Sequence, residues 1–316
     1  MRIIVTGASG LLGSALVAAL RADGHEVVTL VRREPGGSGE ARWDPARGEI
    51  DATAVAGVDA AVHLAGAGVG DRRWTADYRS LILDSRVRGT RLLAETLAAN
   101  ASPAAPGASF SERRGRPAVL LSASGTGWYG LKVDDPVDES APAGSGFLAD
   151  VVRAWEAATE PAAAAGLRVC LLRTGPVLAR DGGVLARQLP LFRAGLGGRL
   201  GSGRQWLSWI GIDDWVAAVR FLLAGGSGAD EGARVAGPVN LVAPNPATGA
   251  EFARTLGAVL HRPALVPVPR LALRAVVGGF TDEGVLASQR IVPRVLLDAG
   301  FHFQHPDLAD ALRAML

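Results

Sequence analysis

The chain contains very little lysine, tyrosine or cysteine. Its 316 residues include two tyrosines and one cysteine, and Lys132 is the only lysine, so the 33 basic residues are almost all arginines. The single cysteine, Cys170, excludes an internal disulfide and is typical of the reducing cytoplasm, where we expect this protein. The formal net charge is only +2, and the basic residues are dispersed rather than interleaved with aromatics. The sequence therefore predicts no nucleic-acid partner.

Long apolar runs and metal-ligand patterns are also missing. No segment approaches the roughly 18 uncharged residues that a membrane-spanning helix needs, and "MRIIVTGASG" has no signal-peptide pattern. The five histidines are scattered without carboxylates at ligand spacing. With 48% hydrophobic and 20% charged residues, the composition is that of a globular protein. We therefore expect a monomer or homodimer that acts on a small molecule, with no metal and no membrane contact.

Strand and helix patterns alternate over the first 176 residues. Short apolar runs such as "RIIVTG" and "PAVLLSAS" predict buried strands, and segments with helical spacing lie between them. The segment "FLADVVRAWEAATEPAAAAG" is one of these and predicts a single helix. Buried strands that alternate with helices indicate a parallel sheet covered on both faces. The predicted fold class is therefore α/β, with a Rossmann-type doubly wound sheet.

The pattern changes after residue 176, where a smaller domain on the substrate side is predicted. We assign residues 1–176 and about 212–225 to the dinucleotide-binding domain, and residues 177–211 and 226–316 to the smaller domain. Residues 101–116 are rich in Pro, Gly, Ser and charge, which predicts a mobile surface loop.

A glycine-rich turn, "GASGLLG", follows the first predicted strand and opens a helix. Gly7 permits the tight turn, Gly10 lets the backbone approach a pyrophosphate, and Gly13 lets helix and strand pack closely. This context predicts dinucleotide binding, and the alternative is a tight turn without a ligand. The predicted cofactor contacts in this turn are Gly7, Ser9, Gly10, Leu11, Leu12 and Gly13.

Two arginines, Arg32 and Arg33, stand at the end of the second predicted strand. NAD sites usually carry an acidic residue there for the ribose 2′-hydroxyl, whereas a guanidinium matches a 2′-phosphate. The sequence therefore predicts NADP(H) in preference to NAD(H). The alternative is that both arginines are solvated in a loop.

Several segments carry a recognisable family pattern. The glycine spacing above, "HLAGAG" at 63–68, "LLSASGTGWYG" at 120–130 and "LRTGPVL" at 172–178 together resemble the extended short-chain dehydrogenase/reductases, the NAD(P)-dependent epimerase/dehydratase superfamily. "RWDP", "SRVRGT" and "QRIVPRVLLDAGF" make the chain similar to an uncharacterised epimerase-like branch, also labelled SulA-like cell-division inhibitor. Residues from about 262 to 316 resemble the small C-terminal domain of that branch.

The resemblance implies further cofactor contacts. Leu64 and Ala65 would flank the adenosine side, and Val177 would approach the nicotinamide. Arg86 would contact the cofactor, and its alternative is a solvated helix arginine.

The resemblance also implies catalytic residues. Ser124 falls where the superfamily keeps a Ser or Thr that hydrogen-bonds the reacting substrate oxygen, with Ser122 and Thr126 as near alternatives. Capping of a strand end is the non-catalytic alternative for all three. Tyr129 matches a "YG" pair that shapes the substrate pocket, and it is the best remaining proton donor.

The acid–base device of the superfamily is missing. That device is a Tyr with a Lys four residues later, which one helical turn places on the same face. In the corresponding helix, Phe147 or Leu148 takes the place of Tyr, and Val151 or Val152 takes the place of Lys.

Lys132 does not restore the pair, although it follows Tyr129 by three residues. It stands in "LKVDDPVDE", which predicts a solvated polar turn. Leu207 also stands where nucleotide-sugar enzymes of the superfamily often carry a diphosphate-binding Arg. Two functions thus remain open: an NADP(H)-dependent oxidoreductase or epimerase-like enzyme of unknown substrate, and a non-catalytic NADP(H)-binding regulatory or sensing protein related to cell division.

Overall fold

A computed structural model describes residues 1–101, 119–225 and 235–316. The loop predicted at 101–116 lies outside these residues, apart from Ala101. The strands are β1 (Arg2–Thr6), β2 (Glu26–Val31), β3 (Glu40–Asp44), β4 (Glu49–Ile50), β5 (Ala60–His63), β6 (Val119–Gly125), β7 (Lys132–Val137), β8 (Arg168–Thr174), β9 (Val177–Ala179), β10 (Trp206–Leu207), β11 (Ile210–Gly211), β12 (Gly237–Leu241), β13 (Ala247–Thr248) and β14 (Ser288–Ile291). The helices are α1 (Leu11–Ala22), α2 (Ala52–Val55), α3 (Ala76–Asn100), α4 (Phe147–Ala157), α5 (Glu160–Ala164), α6 (Gly183–Arg193), α7 (Ile212–Leu223), α8 (Gly249–Val259), α9 (Arg270–Val277), α10 (Arg294–Asp298) and α11 (Leu308–Met315).

An eight-stranded sheet forms the centre of the fold, in the order β12-β8-β6-β5-β1-β2-β3-β4. Every pairing in it is parallel except that of β3 with β4. The apolar side chains of its strands are buried on both faces, because α1 and α7 pack on one side and α3 and α5 on the other. The predicted α/β Rossmann-type sheet is confirmed. The carboxyl ends of β1, β5, β6 and β8 meet at one edge, where parallel α/β sheets bind ligands.

One strand corrects the predicted domain boundary. The sequence placed residues 237–241 in the smaller domain, but β12 pairs with β8 and forms the edge of the central sheet. Its side chains Val239 and Leu241 are fully buried in the same core as β1 and β8. The local sequence of a strand does not specify the strand with which it pairs. The pairing of β12 with β8 could therefore not be predicted from residues 237–241 alone.

A second apolar core lies beyond the sheet edge. It is formed by side chains of α6, α8 and α11 around the fully buried Trp209. The C-terminal residues contribute to both cores, because Leu296 packs beneath β12 whereas Leu312 packs against α8. None of the helices in the described ranges is long and apolar enough to cross a membrane.

Two predicted elements differ in the structure. The single helix predicted from residue 147 is broken into α4 and α5, because Pro161 lacks the N–H that a continuous helix would need. The polar turn predicted around Lys132 is strand β7, which pairs in parallel with β14. Its partner lies about 150 residues away in the chain, so the local polarity was misleading.

Candidate cofactor and active site

The glycine turn connects β1 to α1 and lies against the end of β5. Gly7 has a φ of 68°, and a Cβ atom there would lie 2.8–2.9 Å from backbone atoms of Leu64 and Ala65. A Cβ atom on Gly13 would overlap the Gly7 carbonyl and the Cα of Ala8. Only glycine fits both positions. The turn and the 64–65 peptide, two predicted parts of the cofactor site, are therefore in direct contact.

The start of α1 presents backbone amides without a side-chain cap. Gly10 is the N-cap residue, and no side chain in the described part of the chain caps the first turn. Ser9 and Gly10 are exposed, while Leu11 and Leu12 are half-buried. Free amides at a helix N-terminus, reached by glycine backbone, favour an anionic group such as a pyrophosphate.

Val177 lies close to the start of α1. The turn after β9 folds over the helix, so that a Cβ atom on Gly183 would lie 3.0 Å from the Val177 carbonyl oxygen and 3.6 Å from Leu11 Cδ2. Val177 is half-buried and packs against the sheet core. The structure thus brings together Leu11 and Val177, which the sequence assigned to the same cofactor.

The two arginines after β2 have different surroundings. Arg33 forms a two-pronged ion pair with Glu40, with N–O distances of 2.7 and 2.5 Å. Together with the Gly36 amide, this guanidinium lowers the pKa of the Glu40 carboxyl to about 2. Arg32 is exposed and forms no ion pair with another residue that the structure describes. Of the two, Arg32 has the guanidinium that is free to meet a 2′-phosphate.

Arg86 is a buried cation beneath the loop that follows β5. It is 9% exposed and donates from Nη1 to the carbonyl oxygens of Ala67 and Ile82, at 2.8 and 3.1 Å. Its guanidinium carbon lies 4.8 Å from the ring centre of Trp155. Burial lowers the pKa of Arg86 to about 10, and within the described ranges no carboxylate pairs with it. A buried guanidinium that lacks an anion is suited to an anionic ligand.

Ser124 is buried at the end of β6 and donates its hydroxyl proton to Glu156 Oε1 at 2.6 Å. Glu156, on α4, also accepts two hydrogen bonds from Arg173 of β8, at 2.9 and 3.0 Å. The alternatives Ser122 and Thr126 are buried too, and the Ser122 hydroxyl donates to the backbone of Ala123. Ser124 thus belongs to a buried ion-pair network.

Tyr129 belongs to the same network. Its hydroxyl donates to Asn240 Oδ1 at 2.7 Å and accepts from Arg173 Nη1 at 3.3 Å. The Arg173 guanidinium carbon lies 3.9 Å from the ring centre of Trp128. Burial raises the pKa of Tyr129, so the phenol is protonated at neutral pH. Lys132 is on the outside, 79% exposed and 3.4 Å from Asp134, so it is not part of this network.

Helix α4 begins with two apolar residues, Phe147 and Leu148, at the place where the superfamily pattern has Tyr. Phe147 packs edge-on against Trp74 with 5.0 Å between ring centres. The Leu148 amide donates to Glu283 Oε2 at 2.9 Å. A side-chain carboxylate from the C-terminal segment thus accepts a backbone hydrogen bond at the start of the helix. Val151 and Val152, the candidates for the Lys position, are both buried. The Tyr–Lys device is therefore absent from this helix.

Sequence reasoning missed three members of the polar network: Glu156, Arg173 and Asn240. The available signal was Arg173, a charged residue that directly follows the apolar run "VCLL" in strand β8. A buried strand tolerates such a residue only when it is paired. Metal ligands do not cluster in the parts of the chain that the structure describes, where no three His, Cys, Asp or Glu side chains come together.

Comparison with known proteins identifies the family. Residues 3–235 match the model of the "NAD dependent epimerase/dehydratase family", and residues 268–315 match a separate "domain of unknown function". An epimerase family protein of Mycobacterium bovis is 44% identical over 310 residues, covering 98% of this chain and 96% of its own. The human epimerase family protein SDR39U1 is 35% identical over 319 residues, covering 100% of this chain and 100% of its own.

Solved structures agree with this assignment. The crystal structure of human SDR39U1 isoform 2 with NADPH has a TM-score of 0.82 and 34% identity, covering 100% of this chain and 99% of that one. MoeE5 in complex with UDP-glucose and NAD has a TM-score of 0.73 at 22% identity, covering 100% and 97%, and it supports the fold alone. With the matched glycine turn and the second match over the C-terminal segment, this chain belongs to the NAD dependent epimerase/dehydratase family, in its uncharacterised epimerase-like branch.

Proposed function

We propose that this protein is an NADP(H)-dependent oxidoreductase or epimerase-like enzyme of unknown substrate that works without the Tyr–Lys pair. The observation that carries the proposal is Arg86, a buried guanidinium without a carboxylate partner among the described residues. It lies under the loop of residues 64–68, whose first two residues contact the glycine turn. A bound dinucleotide phosphate would supply the missing negative charge.

The preference for NADP(H) rests on Arg32. Because Arg33 is held by Glu40, Arg32 is the guanidinium that we assign to the 2′-phosphate. The human relative was solved with NADPH, which favours the same cofactor. More distant neighbours of the same fold were solved with NAD, so the fold alone does not select the cofactor, and we assign the choice to residues at the end of β2.

A bound nicotinamide would accept or donate a hydride, and the chain must polarise the substrate carbonyl and supply a proton. We propose Ser124 for the first role and Tyr129 for the second. Ser124 must then exchange Glu156 for the substrate, and Tyr129 must exchange Asn240. Because burial raises the pKa of Tyr129, it would act as an acid at neutral pH rather than as a base. Arg86 would supply a positive charge in place of the absent Lys.

A second candidate is a non-catalytic NADP(H)-binding regulatory protein. The observation in its favour is that both hydroxyls already have protein partners inside one buried network. A network of this kind stabilises the fold without taking part in a reaction.

Cofactor binding is tested first, by titrating the protein with NADPH and NADH and following its tryptophan fluorescence. We expect tight NADPH binding that Arg32→Glu weakens by tenfold or more, with little change for NADH. Arg313→Glu, at an exposed position on α11, is the matched charge reversal and should bind as the wild type does. Failure of the wild type to bind either nucleotide would overturn the proposal.

Catalysis is tested next, by screening carbonyl compounds and nucleotide sugars for NADPH oxidation or epimerisation. With an identified substrate, Tyr129→Phe and Ser124→Ala should each lower kcat by about 10²-fold or more. Unchanged turnover in both variants would exclude these residues from the chemistry. Cofactor binding without turnover across the screen would favour the regulatory alternative.

A further inference from the structure

A buried hydrogen-bond cluster joins the ends of β1 and β5. Thr6 and His63 are both fully buried, and the Thr6 hydroxyl oxygen lies 2.8 Å from His63 Nδ1. The same oxygen accepts hydrogen bonds from the backbone amides of Leu64 and Ala65, at 3.0 and 3.2 Å. The Ala65 amide belongs to the Leu64–Ala65 peptide, which lies against Gly7 in the glycine turn, and the Leu64 amide belongs to the peptide just before it.

The proton positions in this cluster follow from counting donors and acceptors. A hydroxyl has one proton and two lone pairs, and the Leu64 and Ala65 amides occupy both lone pairs of Thr6. The Thr6 proton must therefore go to His63 Nδ1, which leaves the imidazole neutral with its proton on Nε2. Nε2 has no hydrogen-bond partner among the described residues.

The surroundings of His63 favour this neutral form. Its ring meets Trp43 of β3 edge-on, with 5.9 Å between ring centres, and a Cβ atom on Gly89 of α3 would lie 3.5 Å from its Cε1. Burial lowers the pKa of His63 to about 4, and the positive charge of Arg86 acts in the same direction. A protonated ring would have no lone pair to offer the Thr6 hydroxyl.

We propose that His63 is a positioning residue for the dinucleotide, because its Nδ1 orients the Thr6 hydroxyl, which in turn holds the Leu64–Ala65 peptide against the glycine turn. This inference rests on the proposed NADP(H) site. Without the Thr6 acceptor, two amides at the rim of that site would lack a partner, and the peptide would turn toward another acceptor. His63 itself touches no cofactor and acts only through Thr6.

The experiment uses two matched pairs of variants in the full-length protein, with NADPH as the probe. Thr6→Ser keeps the hydroxyl and Thr6→Val removes it. His63→Asn offers an amide oxygen near the place of Nδ1, and His63→Leu offers none. For each variant, the Kd for NADPH and the Tm of the unliganded protein are measured, and all titrations are done well below the lowest Tm.

We expect Thr6→Val and His63→Leu to weaken NADPH binding about tenfold or more. The variants Thr6→Ser and His63→Asn should retain most of the wild-type affinity. A folded Thr6→Val protein that binds NADPH as tightly as the wild type, with only its Tm lowered, would overturn the inference. If His63→Leu does not fold, the Thr6 pair decides. If the wild type does not bind NADPH, the proposed function fails instead, so the two failures are distinguishable.

Discussion

Two buried arginines show how the same side chain serves different purposes. Arg173 is paired with Glu156 by two hydrogen bonds, so its charge is compensated inside the protein. Arg86 is also buried, but among the described residues it hydrogen-bonds only to carbonyl oxygens and lies over an indole ring. The first arrangement stabilises the folded chain, whereas the second retains a charge for which we propose the bound cofactor as the partner.

This contrast gives a prediction for two arginine-to-methionine variants. Arg86→Met should raise the Kd for NADPH by about 10- to 100-fold while leaving the stability of the unliganded protein unchanged or higher. Arg173→Met leaves Glu156 as an unpaired buried charge and should cost about 3–5 kcal/mol of unfolding free energy. Fluorescence titration and urea unfolding separate the two effects. Equal loss of stability in both variants would contradict the difference in their roles.

His63 gives a prediction for the dependence of stability on pH. Its pKa is about 4 in the folded protein, below the ordinary value of 6.5, so the unfolded chain binds the proton more readily. Stability should therefore fall as pH decreases from about 6.5 to about 4, by on the order of 3 kcal/mol from this group. His63→Asn should lack this part of the pH dependence. Urea unfolding at pH 7.5 and pH 5 measures it. An equal decrease in unfolding free energy between these pH values for both proteins would refute the assignment.

At the level of secondary-structure elements, close backbone contacts fix the cofactor turn. The approach of α1 to β1 leaves no room for a side chain at residue 13, because Gly7 and Ala8 lie where the Cβ atom would be. The element that we propose for cofactor binding is therefore defined by contacts among β1, α1 and the end of β5. Its shape does not depend on an ion pair.

Replacement of Gly13 tests this contact. Gly13→Ala should displace the turn, abolish measurable NADPH binding and lower the Tm by several degrees. Gly37→Ala is the matched control, since a Cβ atom at Gly37 would meet no neighbour within 4 Å and the residue has no positive φ. It should bind NADPH as the wild type does. Normal affinity in Gly13→Ala would show that the turn is not the binding element.

The whole molecule depends on its C-terminal segment. Strand β14 pairs with β7, and Gln289 donates to the carbonyl oxygens of Thr126 and Gly130 beside the polar network. Leu296 and Leu312 complete two different cores. The segment that matches a separate family model thus contributes side chains to both apolar cores of the structure.

Truncation tests whether this segment is separable. A chain that ends at residue 267 should fail to unfold cooperatively and should aggregate, because both cores would be exposed. In the full-length protein, Leu296→Ala should cost about 2–5 kcal/mol, while Leu297→Ala, on the exposed side of the same helix, should cost less than about 0.5 kcal/mol. A truncated protein with a sharp thermal transition would show instead that the segment is an independent unit.

Local sequence was sufficient for features that depend on short-range geometry. The glycine turn, the alternation of strands and helices, and the loss of the Tyr–Lys pair could all be predicted, because each depends on residues within one turn or one strand. The family resemblance covered most of the chain for the same reason, since it was carried by short motifs. The roles of Arg32 and Ser124 remain predictions that only binding and kinetic measurements can test.

Tertiary structure decided which side chains meet. Residues 132–137 become a strand only because β14 arrives from the far end of the chain, and β12 joins the sheet only by pairing with β8. Arg33 and Arg32 look alike in sequence, but Glu40 of the neighbouring strand pairs with one of them. The role that we propose for His63 depends on Thr6, 57 residues earlier. Which residues pair, and where the protons lie between them, depends on neighbours that are distant in the chain and that local patterns do not identify.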